Sequence, residues 1–133
     1  MNDLGQPASS LCDRNLPHDA RRELFGGTGT VRVWALTPAP ALPFTAVLAC
    51  ELEAGGSVGA HVQEQFPELV IGISGSGRVS VNGAAATFGA GSVVELGRGQ
   101  VLSILNESSD APLRYLIIKA QDSAVVRPQR GER

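Results

Sequence analysis

Gly55-Gly56-Ser57-Val58-Gly59-Ala60-His61-Val62-Gln63-Glu64-Gln65-Phe66-Pro67-Glu68-Leu69-Val70-Ile71-Gly72-Ile73-Ser74-Gly75 is the stretch that decides the fold. His61 and Gln63 are two residues apart, so on a strand their side chains leave by the same face. Phe66-Pro67 marks a turn, and Glu68 opens the apolar run Leu69 to Ile73, a second strand. One feature of the stretch misleads. Gly55, Ser57 and Gly59 match the G-x-S-x-G pattern of a serine nucleophile. That elbow works between a strand and a helix, with an acid and then a histidine downstream. The only histidine after Ser57 is His61, four residues on, with no aspartate between them and no helical periodicity following. A serine hydrolase is rejected.

Working outward, short apolar runs alternate with glycine punctuation from Thr30 onward. The runs are Val31 to Leu36, Phe44 to Leu52, Leu69 to Ile73, Val79 to Val81, Val93 to Leu96, Val101 to Leu105 and Leu113 to Lys119. Strands of this length and spacing predict an all-β sandwich or barrel rather than α/β units. Asn82-Gly83 predicts a hairpin turn, since both residue types tolerate the positive φ of a type I′ turn. Residues 1–28 read as an N-terminal arm, with a short helix expected over Pro17 to Leu24 and ended by Gly26-Gly27. The barrel spans 29–121, and 122–133 is a charged, proline-containing tail.

Leu69 to Ile73 and Leu113 to Ile118 are apolar on both alternating faces, apart from Arg114. A strand with one wet face alternates apolar and polar residues. Both faces of these strands are therefore covered, by the arm or by another subunit, and a homodimer built on them is expected. Sedimentation at micromolar concentration should show a dimer, and a monomer would refute it.

The spacing Gly55, five residues, His61, one residue, Gln63, four residues, Glu68, six residues, Gly75 resembles the first motif of the cupin superfamily. That motif is Gly, five residues, His-x-His, three or four residues, Glu, six residues, Gly, and Gln63 stands where the second histidine belongs. The second motif aligns onto Gly91, Gly97 in place of proline, Gly99, Leu102 in place of histidine, and Asn106. The resemblance covers about residues 44 to 119 and implies a cupin double-stranded β-helix, the jelly-roll barrel of RmlC-like proteins. It also implies a divalent metal, held by two histidines and the glutamate of the first motif and the histidine of the second. Carried over, those positions are His61, Gln63, Glu68 and Leu102, and Leu102 offers no ligand atom.

Three readings stay open for His61, Gln63 and Glu68. One is a metal site for a single divalent ion (iron, zinc, nickel or manganese), completed by water or substrate. Such a site would have one imidazole, one carboxylate and one amide oxygen, fewer nitrogen and charged donors than transition metals usually take. Another is a metal-free pocket with His61 as base and Glu68 as partner, their pKa values moved by the barrel interior. The last is a hydrogen-bonded cluster without function. Burying Glu68 unpartnered is costly, so an idle site should have drifted to apolar residues. The other candidates read as structural. Asn106 fixes a turn or strand end, and Cys50 is a small buried hydrophobe. Trp34 and Arg32 share a face and either border the pocket or cover the barrel. Arg21-Arg22 reads as the solvated face of the expected helix.

Composition narrows the classes further. With 133 residues the chain holds one domain, and 43% apolar against 18% charged residues gives it a core. Eleven basic residues, ten of them arginine, against 13 acidic ones give a net charge of −2. That leaves no electrostatic footprint for nucleic acid or an anionic membrane. No stretch approaches the roughly 20 apolar residues of a membrane-spanning helix, and Met1 to Ser10 does not read as a signal peptide. Cys12 and Cys50 form neither a disulfide framework nor a zinc spacing, so the expected compartment is the cytoplasm. The expectation is a small-molecule-binding barrel with an apolar pocket and a polar cluster at His61, Gln63 and Glu68. The alternatives are a metal-dependent oxygenase or isomerase, and a metal-free isomerase or cyclase.

Overall fold

Alternation of inward and outward side chains organises the computed structural model, which describes residues 11–121. Its strands are β1 (Asp19–Arg22), β2 (Thr30–Ala35), β3 (Phe44–Leu52), β4 (Ser57–Val62) and β5 (Glu68–Ser74). After them come β6 (Ser76–Val81), β7 (Ala84–Gly89), β8 (Val93–Leu96), β9 (Val101–Asn106) and β10 (Leu113–Ala120). They form two antiparallel sheets, one of six strands in the order β1-β2-β3-β10-β5-β8 and one of four in the order β4-β9-β6-β7. The β6–β7 hairpin closes through Asn82 and Gly83, with φ of 52° and 85°, as the sequence predicts.

The inner faces of the two sheets meet in one core. At one end Leu52, Val79, Phe88 and Leu113 are fully buried and fill the space, with Phe88 packed edge-on against Tyr115 at 6.2 Å. Toward the other end the inner residues are Val33, Cys50, Val58, Leu102, Ile104, Tyr115 and Ile117, and these wall a cavity instead of filling it. Asn106, at the end of β9, ties the filled end to the loops. Its amide donates to the carbonyls of Leu52, Glu53 and Ala111, and its carbonyl accepts from Ser108 N. The structural role expected for Asn106 is what its bonds describe.

The outer face of the six-stranded sheet is covered in part by the arm. Leu11 and Cys12 pack on Trp34, Ala49 and Leu116, the indole of Trp34 donates to Asp13 O, and the His18 ring stacks on Trp34 at 4.7 Å. Trp34 therefore covers the barrel and does not border the cavity; its neighbours Val31 and Val33 do. On the same outer face Glu51 is buried and receives Arg14 from the arm at 2.7 Å and Arg114 from β10 at 2.8 Å. Both thiols are free. Burial and the nearby Glu51 push Cys12 up to about 11, and burial pushes Cys50 up further, so neither is a reactive thiolate at neutral pH.

The helix expected over Pro17 to Leu24 does not form. Asp19–Arg22 is β1, paired with β2 from Asp19↔Val33 to Arg22↔Thr30, and only a 3-10 turn, Leu24–Gly26, follows. A lone helix of eight residues is marginal in water. Pairing instead satisfies backbone groups that β2 would expose as a sheet edge. From Asp19 onward the expected arm is thus part of the barrel's sheet. The expected tail, 122–133, lies outside the described residues. Among the described residues no helix is long and apolar enough to cross a membrane.

Burial pushes the Glu51 carboxyl up, but the bonds from Arg14 and Arg114 more than reverse this and hold it below its ordinary 4.5. A carboxylate depressed on folding stabilises the protein above its unfolded pKa and ceases to do so as pH falls through the folded one. Glu51→Gln is expected to cost roughly 1–3 kcal/mol at pH 7. The difference from wild type should shrink below pH 4.5, as urea denaturation at several pH values would show.

Candidate functional site

Because one end of the barrel is packed and the other is not, a cavity of about 440 Å³ remains between the sheets. That volume lies within the usual range of small-molecule sites, roughly 300–1,000 Å³. Its wall is mainly apolar, and its polar groups come from β1, β3, the end of β4 and the segment after it, the start of β5 and the end of β10.

Glu68 opens β5 directly opposite Lys119 of β10 in the antiparallel ladder. Both point inward, since Lys119 shares the parity of Tyr115 and Ile117. Glu68 is only 4% exposed, and its Oε1 has no hydrogen-bond partner among the described residues. Lys119 Nζ lies 3.8 Å from that oxygen, close enough for charge attraction but beyond hydrogen-bond reach. Burial raises the Glu68 carboxyl above its ordinary 4.5, and the Lys119 charge only partly opposes this.

Gln63 follows β4 and is held by its backbone, with N donating to Gln100 O and O accepting from Gly99 N. Its side chain lines the cavity and is 6% exposed. Thr45 Oγ1, on the β3 wall, is buried without a partner.

His61 lines the same cavity, paired in register with Leu102 of β9. Its Nδ1 lies 2.9 Å from Gly59 O. A carbonyl only accepts, so Nδ1 carries the hydrogen and neutral His61 presents a lone pair on Nε2. The ring stacks on Phe25 at 4.1 Å and 12°. Phe25 holds φ at 53°, a left-handed conformation costing a non-glycine residue about 1 kcal/mol. Its turn rests on β4 where Gly59 leaves no side chain; a Cβ there would run into Phe25 O.

All three residues singled out in the sequence, His61, Gln63 and Glu68, therefore reach one cavity, but they do not bond to one another. The sequence reading missed Lys119, the chain's single lysine. The available signal was its parity, two steps beyond Ile117 on a strand whose Tyr115 and Ile117 face inward. Phe25 and Tyr115 were missed as well, the first because a non-glycine positive φ is invisible in sequence.

The donor set does not suit the divalent metal that the resemblance implies. Leu102 occupies the wall position opposite His61, and the Lys119 ammonium already stands 3.8 Å from Glu68, where it would repel a second cation. Among the described residues no three His, Cys, Asp or Glu side chains gather as a metal group.

The family model for the Cupin domain matches residues 48–119. Among solved structures, a predicted oxalate decarboxylase from Thermotoga maritima is 25% identical with a TM-score of 0.75, covering 80% of this chain and 94% of its own. A cupin 2 conserved barrel domain protein from Salinispora arenicola is 26% identical with a TM-score of 0.64, covering 87% and 89%. The polyketide cyclase RemF from Streptomyces resistomycificus shares the fold at 18% identity, with a TM-score of 0.64 and coverage of 79% and 75%. No curated protein matches the chain.

A carboxyl whose pKa rises on folding destabilises the protein at neutral pH, and the penalty vanishes below its unfolded value. Glu68→Gln is therefore expected to raise the melting temperature by a few degrees at pH 7, roughly 1 kcal/mol. The gain should close as pH falls toward 4.5. Parallel melts of both proteins across that range would check it.

Proposed function

The chain belongs to the Cupin domain family, and on that premise we propose that it binds a small, largely apolar molecule inside the barrel. The observation that carries this reading is Glu68 Oε1, buried at the cavity wall without a hydrogen-bond partner among the described residues. An orphaned buried oxygen costs about 1–3 kcal/mol. Such a group is retained where something else supplies the bond, and the cavity beside it has room for that partner. Gln63 and Lys119 add donors to the same wall, while Val33, Val58, Leu102, Ile104 and Ile117 would enclose the ligand's apolar body.

A second reading, a metal-free isomerase or cyclase, has one observation in its favour. Glu68 holds a proton more readily than an ordinary carboxylate, as a general base working closer to neutral pH requires. Lys119 stands beside it at 3.8 Å, and His61, its Nδ1 bonded to Gly59 O, keeps on Nε2 the lone pair that the expected role as base requires. Two further points belong to the same proposal. The reduced thiols Cys12 and Cys50 suit the cytoplasm. A second copy is proposed on the stretch of sheet the arm leaves open, around Leu69, Ile71 and Ile118, which are only half-buried.

The test is a thermal-shift screen of small organic molecules with a filled-cavity control. A ligand at a hundred times its Kd stabilises by about 2.7 kcal/mol. Compounds that raise the wild-type melting temperature should lose that effect in Leu102→Phe, which places a ring in the cavity. Shifts that persist in Leu102→Phe would show binding elsewhere and overturn the proposal. Adding zinc or a chelator is expected to leave the melting temperature of the wild type unchanged.

A further inference from the structure

We infer that the ligand carries a hydroxyl at the Glu68–Lys119 gap, and that the barrel selects an apolar alcohol or phenol over a carboxylate or an amine. This rests on the reading of the cavity as a binding site and goes further by naming the ligand's polar group.

The gap has two unlike sides. Glu68 Oε1 is an acceptor that lacks a donor, and Lys119 Nζ is a donor 3.8 Å away that does not reach it. A carboxylate has no hydrogen to give Glu68 and would meet its charge in a desolvated wall. An ammonium has no lone pair for Lys119 and would meet the opposite repulsion. A hydroxyl serves both, donating to Oε1 and accepting from Nζ, at the ordinary bond length of about 2.8 Å from each. The neighbouring groups are consistent with a neutral oxygen. Gln63, with one acceptor and one donor end, and the unpartnered Thr45 Oγ1 carry no charge.

The remaining charged groups on the lining sit at the rim and do not set a sign. Arg21 is exposed and paired with Asp19 at 3.4 Å, and Glu64 is exposed. Solvent screens both, so discrimination falls to the buried Glu68 and the half-buried Lys119 beside it. Selection of this kind comes as much from repelling the wrong charge as from bonding the right group.

Calorimetry at pH 8 with three probes on one skeleton tests the assignment: 2-naphthol, 2-naphthoate and 2-(aminomethyl)naphthalene. Wild type should bind 2-naphthol about tenfold more tightly than either charged probe, the scale of one hydrogen bond to a buried charge. Glu68→Gln should weaken 2-naphthol about tenfold and improve 2-naphthoate relative to it. Lys119→Met should move the preference the other way, toward the ammonium. These opposed changes in rank order are not produced by a general loosening of the fold, and melting curves of each variant register its folded state. Equal affinity for all three probes in wild type, or a tighter carboxylate or ammonium, overturns the hydroxyl assignment and leaves the binding reading standing. Silence from all three, with no cavity-dependent thermal shift from any compound, overturns the binding reading itself.

Discussion

Strands β5 and β10 carry apolar side chains on both faces and must be covered twice, and the rest of the molecule follows from how that is done. The inner face is covered by the four-stranded sheet, which supplies Val58, Val79, Phe88, Leu102 and Ile104. The outer face takes the arm, whose Cys12, Leu11 and His18 settle around Trp34. The Arg14–Glu51–Arg114 pairs fasten the arm to β10 across an otherwise apolar surface. β10 is central to both arrangements. It lies between β3 and β5, gives Tyr115 and Ile117 to the interior, and gives Arg114 and Leu116 to the outside. A one-residue slip of β10 would exchange the two sets, burying the arginine and expelling the tyrosine. Register is therefore strongly specified, and with it the placement of Lys119 opposite Glu68.

That cross-strand pair is where the fold becomes a site. Large side chains fill only one end of the barrel, and Glu68 and Lys119 occupy the other, too far apart to bond and too close to ignore each other's charge. A barrel built for stability alone would place an apolar residue at Glu68, since burying a carboxylate oxygen without a hydrogen bond is costly. The contrast with Glu51 makes the point within one molecule. Both carboxylates are almost fully buried, but Glu51 has two arginines bonded to it and titrates low, whereas Glu68 has none and titrates high. One is finished by the protein. The other keeps an oxygen without a hydrogen-bond partner among the described residues.

Much of the fold was legible because glycine punctuation and apolar runs are local signals. Phe44–Leu52 and Val93–Leu96 coincide with their predicted runs, and the Asn82-Gly83 turn has the backbone its residues imply. β7 escaped notice because Ala84 to Thr87 is small and exposed, with only Phe88 reaching the core. β4 was read as the carrier of a motif and not as one of the apolar runs, its Gly59 and Ala60 breaking the pattern. β1 was read as helix because what decides it is an edge of β2, a tertiary circumstance that no local propensity reports. In the site the pattern is the same. His61, Gln63 and Glu68 could be found from spacing, but their bonds could not, and Lys119 enters only through the register of β10 on β5, 51 positions further along the chain.

Register also sets what surrounds the positions at which the resemblance implies a metal. Placing leucine at the second-motif position takes away one ligand, and glutamine in the first exchanges an imidazole for a neutral amide oxygen. What remains is a buried carboxylate that still needs positive charge nearby. Lys119 supplies it from the adjacent strand, covalently tethered and always present, where a bound metal would be exchangeable. The two arrangements differ in what they ask of a ligand. A metal offers open coordination positions and favours anionic or strongly polar oxygen donors. An ammonium held just out of bonding range of a carboxylate offers one donor and one acceptor side by side, a demand that a single neutral hydroxyl meets and a charged group does not.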